Sequence, residues 1–251
     1  MTNLFDLSGK VAVVTGGTRG LGKDMALGLA SAGADVVIIG RNVDPLVVKE
    51  IENKGVRALG ISFDLLDFDH YDDLIDQIVN EMGHIDILLN NAGVQKRHPS
   101  VDFPKDDWDF VMNVNANAVF FMCQKVGKLM LEKGYGKIIN IASLLSFQGG
   151  LTVPAYAASK GAVMQFTKSL SNEWAKYGIN VNCIAPGYME TDMNTALIAD
   201  EKRNTQILER IPSGRWGKPE DMKGAAIFLA SSASDYVNGF TMAVDGGWLG
   251  R

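Results

Sequence analysis

Tyr156 and Lys160 stand four residues apart in VPAYAASKGAV, residues 153–163, a stretch otherwise made of small and apolar side chains. Four positions is just over one helical turn, so the spacing puts phenol and ammonium on one helix face. A free tyrosine, near pKa 10, keeps its proton at pH 7. An ammonium about 4 Å away, at an effective dielectric of about 20, contributes roughly 4 kcal/mol toward the phenolate. The pair is therefore expected to lower the pKa of Tyr156 and to exchange a proton with an alcohol or carbonyl near neutrality. Taken alone, such a pair is more simply an inward tyrosine beside a lysine that reaches for water. Three further features argue against that. Ser143 closes the apolar run KIINIAS and can hydrogen-bond a reacting oxygen. NNAG, Asn90–Gly93, closes another such run with short polar groups and a glycine. Asn115, in MNVNANAVFF, is polar within an apolar helical pattern and needs a buried partner or water.

The segment VVTGGTRGLGKDMA places Gly16, Gly20 and Gly22 between an apolar run and an amphipathic stretch. Glycine lets the backbone turn tightly and approach a pyrophosphate, whose charge then meets backbone N–H groups and the positive end of a helix. A glycine-rich turn that follows a strand and opens a βαβ unit is the context in which this reading holds. The second apolar run ends VVIIGRN, so Gly40 and Arg41 offer no acid to the ribose hydroxyls. Arg41, with Arg19, can instead pair with a 2'-phosphate by bidentate hydrogen bonds. NADP is thereby favoured, with NAD as the alternative.

Short apolar runs at KVAVVTG, ADVVIIG, IDILLNNAG, KIINIAS, INVNCIA and TMAVDGG alternate with helical patterns. Long helical stretches are expected over about 105–133 and 154–177. Continuous apolar strands joined by helices imply a parallel sheet covered on both faces, because a sheet open to water would alternate. The expectation is a doubly wound α/β fold. No Pro-rich or Ser-rich linker, repeat or low-complexity block breaks the chain, so one domain over 1–251 is expected. The long mixed stretch after INVNCIA, 186–218, is the candidate substrate lid, because insertions past strand C-terminal ends are where open α/β sheets bind ligands.

The totals narrow the classes further. Of 251 residues, 47% are hydrophobic and 21% charged, as in an ordinary soluble globular protein. A net charge of −5 argues against broad nucleic-acid or membrane-surface binding. No apolar stretch reaches membrane-span length and MTNLFDLSGK lacks a leader pattern, so a cytoplasmic protein is expected. Cys123 and Cys183, each among apolar neighbours, read as buried free thiols. His70, His84 and His98 show no metal-ligand spacing, and no metal site is expected.

The ordered set T-G-x-x-x-G-x-G at 15–22, N-N-A-G at 90–93, Asn115, Ser143, Tyr156 with Lys160, and Pro186 with Gly187 resembles the short-chain dehydrogenase/reductase family along essentially the whole chain. The resemblance implies an extended Rossmann sheet of about seven strands, NAD(P)-dependent hydride transfer and, in many members, a homotetramer. It implies Tyr156 as general acid/base, Lys160 holding the nicotinamide ribose and lowering the tyrosine pKa, Ser143 orienting the carbonyl, and Asn115 anchoring a water in a proton relay. For the dinucleotide it implies Gly16, Thr18, Arg19, Gly20, Leu21, Gly22, Arg41, Asp64, Leu65, Asn91, Ala92, Gly93, Pro186, Gly187 and Thr191, with Asp64 on the adenine and Thr191 on the nicotinamide side.

Within the family, IINIASLLSFQGG, NEWAKYGINVNCIAPGY, ERIPSGRWG and LASSASDYVNGFTMAVDGGW are similar to the branch of 2-dehydro-3-deoxy-D-gluconate 5-dehydrogenases, also called 2-deoxy-D-gluconate 3-dehydrogenases. A sugar-acid substrate of that kind needs a cation and hydrogen-bonding groups. Lys96, Arg97 and His98 in GVQKRHPS, with Gln148, are the candidates. The branch is described as using NAD, whereas GRN reads for phosphate, so a gluconate 5-dehydrogenase is the near alternative. A 3-oxoacyl-[acyl-carrier-protein] reductase is a more distant one, and a nicotinamide-sensing regulatory protein is the non-enzyme alternative.

Overall fold

Seven strands form one parallel sheet in the order β3-β2-β1-β4-β5-β6-β7 in a computed structural model that describes residues 3–251. The strands are β1 Val11–Thr15, β2 Asp35–Gly40, β3 Ala58–Ser62, β4 Ile87–Asn90, β5 Gly136–Ile141, β6 Ile179–Pro186 and β7 Thr241–Val244. Helices α1 Gly20–Ser31, α2 Pro45–Glu52, α3 Tyr71–Met82, α4 Lys105–Met112, α5 Ala118–Lys133, α6 Pro154–Trp174, α7 Thr195–Ala199, α8 Glu201–Leu208 and α9 Lys223–Ala230 connect them. The doubly wound α/β fold expected from the apolar runs is the fold observed.

Alternate residues of one strand enter different cores, which is why the runs are continuously apolar. Val11 and Val13 of β1 pack with Leu74 and Ile78 of α3, Val126 of α5 and Val163 of α6. Ala12 and Val14, pointing the other way, pack with Met25 and Leu29 of α1 and Ala226 of α9. The edge strands differ: β3 and β7 are only partly buried, in keeping with ALGIS and TMAV being less apolar than the central runs.

The order reverses between β1 and β4, which pair in parallel from Ala12↔Ile87 to Thr15↔Asn90. At such a switch point the connections leave in opposite directions and open a crevice beyond the strand ends. The glycine turn after β1 and NNAG after β4 sit on its two sides. The expected helical stretch over 105–133 is not continuous: a π turn over Asn113–Asn117 separates α4 from α5. The apolar period runs through that turn, so the sequence pattern alone gives no sign of it. No helix among the described residues is long and apolar enough to cross a membrane. Both cysteines are free and buried.

Candidate active site

At the C-terminal ends of the strands lies a cavity of about 1020 Å3. Gly16, Thr18, Arg19, Gly20, Leu21, Arg41, Asp64, Leu65, Asn91, Ala92, Gly93, Ser143, Tyr156, Lys160, Pro186, Gly187 and Thr191 all line it, as do Lys96, Arg97 and His98. Three expected residues, Gly22, Asn115 and Gln148, lie outside that lining, and each has a physical reason.

Gly22 belongs to the turn's packing. A Cβ there would sit 2.2 Å from the Gly16 carbonyl oxygen and 2.3 Å from Asn91 Nδ2, so any side chain would force the turn open. Asn91 Nδ2 donates to the carbonyls of Thr15 and Gly16 at 3.2 and 3.0 Å, joining the two sides of the crevice through this gap. Gly16 has φ +65°, a left-handed conformation that a side chain would strain, and a Cβ there would lie 2.9 Å from Ala92 Cα. Backbone this bare, at the start of α1, fits a pyrophosphate.

Asn115 is fully buried in the π turn. Its Oδ1 accepts from Val94 N at 2.8 Å, and its Nδ2 donates to Val94 O at 2.9 Å and to Ser159 Oγ at 3.2 Å. With both amide hydrogens used by the protein, the side chain fastens the loop after NNAG to α6. Gln148 accepts from Arg210 Nη2 at 3.3 Å, and Arg210 in turn stacks over Trp248 at 4.1 Å. It is thereby turned toward the segment after α8.

The central group is built by three elements. β5 delivers Ser143 just past its end, with extended backbone at φ −162° and ψ 164°. The hydroxyl of Ser143 accepts from Leu145 N at 3.1 Å and begins the short 3-10 turn Leu144–Ser146. α6, entered through Pro154 at its N-terminus, carries Tyr156 and Lys160 one turn apart. Lys160 is 3% exposed and its Nζ donates to the Ile141 carbonyl at 2.5 Å. The same Nζ lies 5.9 Å from the centre of the Tyr156 ring, so the two side chains share a face as the spacing predicts.

Their electrostatics correct the expectation of an acidified phenol. Burial pushes Tyr156 above its ordinary value near 10, and the Ser143 hydroxyl pulls the other way without reversing it. Burial also lowers Lys160, to about 8. The ammonium is turned to the Ile141 carbonyl, and desolvation of the phenolate sets the direction of the tyrosine shift. In this arrangement Tyr156 is a protonated donor at neutral pH.

Arg41 lines the cavity, as do Gly40, Phe63, Asp64 and Leu65. Arg19, expected to pair with the same phosphate, instead donates to Asp192 at 2.6 Å, tying the glycine turn to the segment after β6. Lys96 and His98 share one carboxylate, Asp107 of α4, at 3.1 and 2.6 Å. Their hydrogen bonds hold Asp107 below the usual carboxylate range. Neither Asp107 nor Asp192 was legible as a site residue. Asp107 reads as an ordinary acid in the first turn of a helix, and Asp192 lies 173 positions from its partner.

A crevice lined by a glycine-rich turn, a serine, a tyrosine and a lysine defines a class, and comparison with known proteins gives the same one. Residues 10–202 match the short chain dehydrogenase family, and the chain belongs to it, an oxidoreductase family. Two curated relatives, both called 2-dehydro-3-deoxy-D-gluconate 5-dehydrogenase, align over nearly their whole length. The one from Escherichia coli strain K12 is 55% identical over 98% of each chain, and the one from Dickeya dadantii is 52% identical over 99% of each. A gluconate 5-dehydrogenase from Burkholderia cenocepacia J2315, crystallised with NADP and tartrate, superimposes with a TM-score of 0.95 at 44% identity over 99% of this chain and 98% of that one.

Proposed function

We propose that the protein transfers hydride between NADP(H) and a secondary alcohol or ketone of a sugar acid, as a 2-dehydro-3-deoxy-D-gluconate 5-dehydrogenase. The observation that carries this reading is the layout of one cavity. Arg41 and the glycine turn, Ser143 with Tyr156 and Lys160, and Lys96, Arg97 and His98 all line it. The kinship at 52–55% identity with dehydrogenases of that name supports the substrate, and the NADP of the Burkholderia cenocepacia enzyme supports the dinucleotide.

When bound, the nicotinamide supplies or accepts the hydride. Tyr156 donates its proton to the carbonyl oxygen in reduction and takes it back in oxidation. Ser143 fixes the direction of that oxygen, and Lys160 holds the ribose side of the nicotinamide. The Lys96 and Arg97 cations receive the substrate carboxylate, with Asp107 keeping Lys96 and His98 in place. The segment 186–218, which contributes Pro186, Gly187, Thr191 and Asp192 to the cavity and includes α7 and α8, acts as the substrate lid of a single domain. On the family resemblance we read the enzyme as a cytoplasmic homotetramer.

Initial rates with NADP and NAD, against 2-dehydro-3-deoxy-D-gluconate, gluconate and a 3-oxoacyl thioester in the appropriate directions, test the reading. The keto-deoxy-gluconate with NADP is expected to give the highest kcat/KM. Arg41→Ala is expected to weaken NADP about tenfold or more while leaving NAD within about twofold, because it removes a charge-assisted contact to the 2'-phosphate only. Preference for the thioester would replace the substrate assignment, and equal losses for both dinucleotides would remove Arg41 from phosphate recognition.

A further inference from the structure

Ser146 belongs to none of the motifs and reads in the sequence as part of an ordinary loop, yet one of its atoms joins two parts of the site. Its hydroxyl oxygen accepts from the backbone N–H of Ser143 at 3.2 Å and donates to the backbone carbonyl of Lys160 at 2.7 Å. The first contact closes the reciprocal cap of the 3-10 turn, with Ser143 Oγ receiving Leu145 N. The second reaches across to the middle of α6. Lys160 is thus held twice by the same stretch of chain: its Nζ by the carbonyl of Ile141 at the end of β5, and its carbonyl by Ser146 just beyond. The contacts close a ring that runs from Ile141 through Ser143 and Ser146 to the Lys160 backbone and returns through the lysine side chain.

We infer that Ser146 is a positioning residue for hydride transfer, fixing Ser143 against Tyr156 and Lys160 through this hydrogen-bonded ring. The physical argument is one of geometry. Reaction requires the serine hydroxyl and the phenol to meet one substrate oxygen, and displacement of either by about 1 Å costs on the order of a hundredfold in rate. Ser143 stands on a turn of three residues and Tyr156 on a separate helix. Of the hydrogen bonds between the turn and α6, that from Ser146 Oγ ends on the residue bearing the site's ammonium. Removing the hydroxyl leaves the Ser143 N–H and that link without their partner, while neither Ser143, Tyr156 nor Lys160 is itself altered.

A different contact supplies the control. Thr167, fully buried two turns further along α6, accepts from Asn140 Nδ2 at 2.9 Å and from Cys183 Sγ at 3.2 Å. It holds α6 to the sheet but does not touch the serine turn. The inference rests on the proposed roles of Ser143, Tyr156 and Lys160, and the test separates the two. Ser146→Ala is expected to lower kcat about tenfold at saturating substrate, with KM for NADP within about twofold. Ser146→Thr, which keeps the hydroxyl, is expected to recover most of that rate. Thr167→Val is expected to lower Tm with kcat within about twofold of wild type. If Ser146→Ala does not fold, Ser146→Cys takes its place, its thiol being a weaker donor, with an intermediate kcat expected. A Ser146→Ala or Ser146→Cys enzyme with wild-type kcat, whatever its Tm, overturns the inference, as does a loss seen only in the KM for NADP. Should Tyr156→Phe keep full turnover, the underlying reading of the site fails instead, and that result is distinct from both.

Discussion

Tyr156→Phe is expected to lose about a thousandfold in kcat, within the range by which general acid–base catalysis accelerates reactions, while binding NADP nearly as tightly as wild type. The substitution removes one hydroxyl and leaves the ring, so the packing of α6 against the crevice is preserved. The phenol is half-buried beside Ser143, and the desolvation there holds its pKa above the ordinary value. At neutral pH it therefore carries the proton that a developing alkoxide needs. Rates followed at the nicotinamide absorbance band, together with fluorescence titration of NADPH, separate the two effects. Turnover close to wild type would remove Tyr156 from the chemistry, and parallel losses of binding and rate would make it a binding residue.

Lys160→Met is expected to have the second large effect, and in two opposed directions. Turnover falls steeply because the ammonium proposed to hold the nicotinamide ribose is gone. Stability, in contrast, changes with pH in a manner fixed by the sign of the lysine shift. Lys160 titrates at about 8 in the folded protein, against 10.5 as its ordinary value. Below pH 8 the residue is charged in both states and the folded state carries the full cost of burying it. Between pH 8 and 10.5 the folded protein releases its proton while the unfolded chain still holds one, so wild-type stability rises with pH. The accumulated gain is about 3 kcal/mol, taking about 1.4 kcal/mol per pKa unit. Lys160→Met lacks this term. Urea denaturation of both proteins at pH 7.5 and pH 10.5 is expected to show wild type gaining stability relative to the variant across that window. A constant difference would mean that Lys160 is not held in a dry site.

The sheet was readable because its central strands are buried on both sides, and a strand such as VAVVT leaves no polar face to confuse with a surface helix. ALGIS was harder, because an edge strand with a glycine at its centre has little apolar signal. The residues proposed to react were readable for a different reason: they are polar where the local pattern calls for apolar side chains, and a buried polar group needs a purpose or a partner. The same rule brought Asn115 to notice but could not say that Val94 and Ser159 would be its partners. Whatever depended on distance across the fold was out of reach. The sign of the Tyr156 shift is set by how deeply α6 is buried, and the helical spacing carries no information on that. Arg19 meets Asp192, and Lys96 and His98 meet Asp107, through loops whose course no periodicity describes. Gln148 lies near a serine in sequence and faces an arginine from the segment after α8 in space.

The central claim is that a half-buried, protonated phenol stands ready to give its proton to the substrate oxygen. Ultraviolet titration at the tyrosinate band, recorded as wild type minus Tyr156→Phe, isolates this single residue from the other tyrosines. The account predicts a midpoint above the ordinary value of 10 in the free enzyme. A midpoint below about 9, on the acid side of an unperturbed tyrosine, would contradict it, because the phenol would then be acidified by Lys160 and not raised by burial.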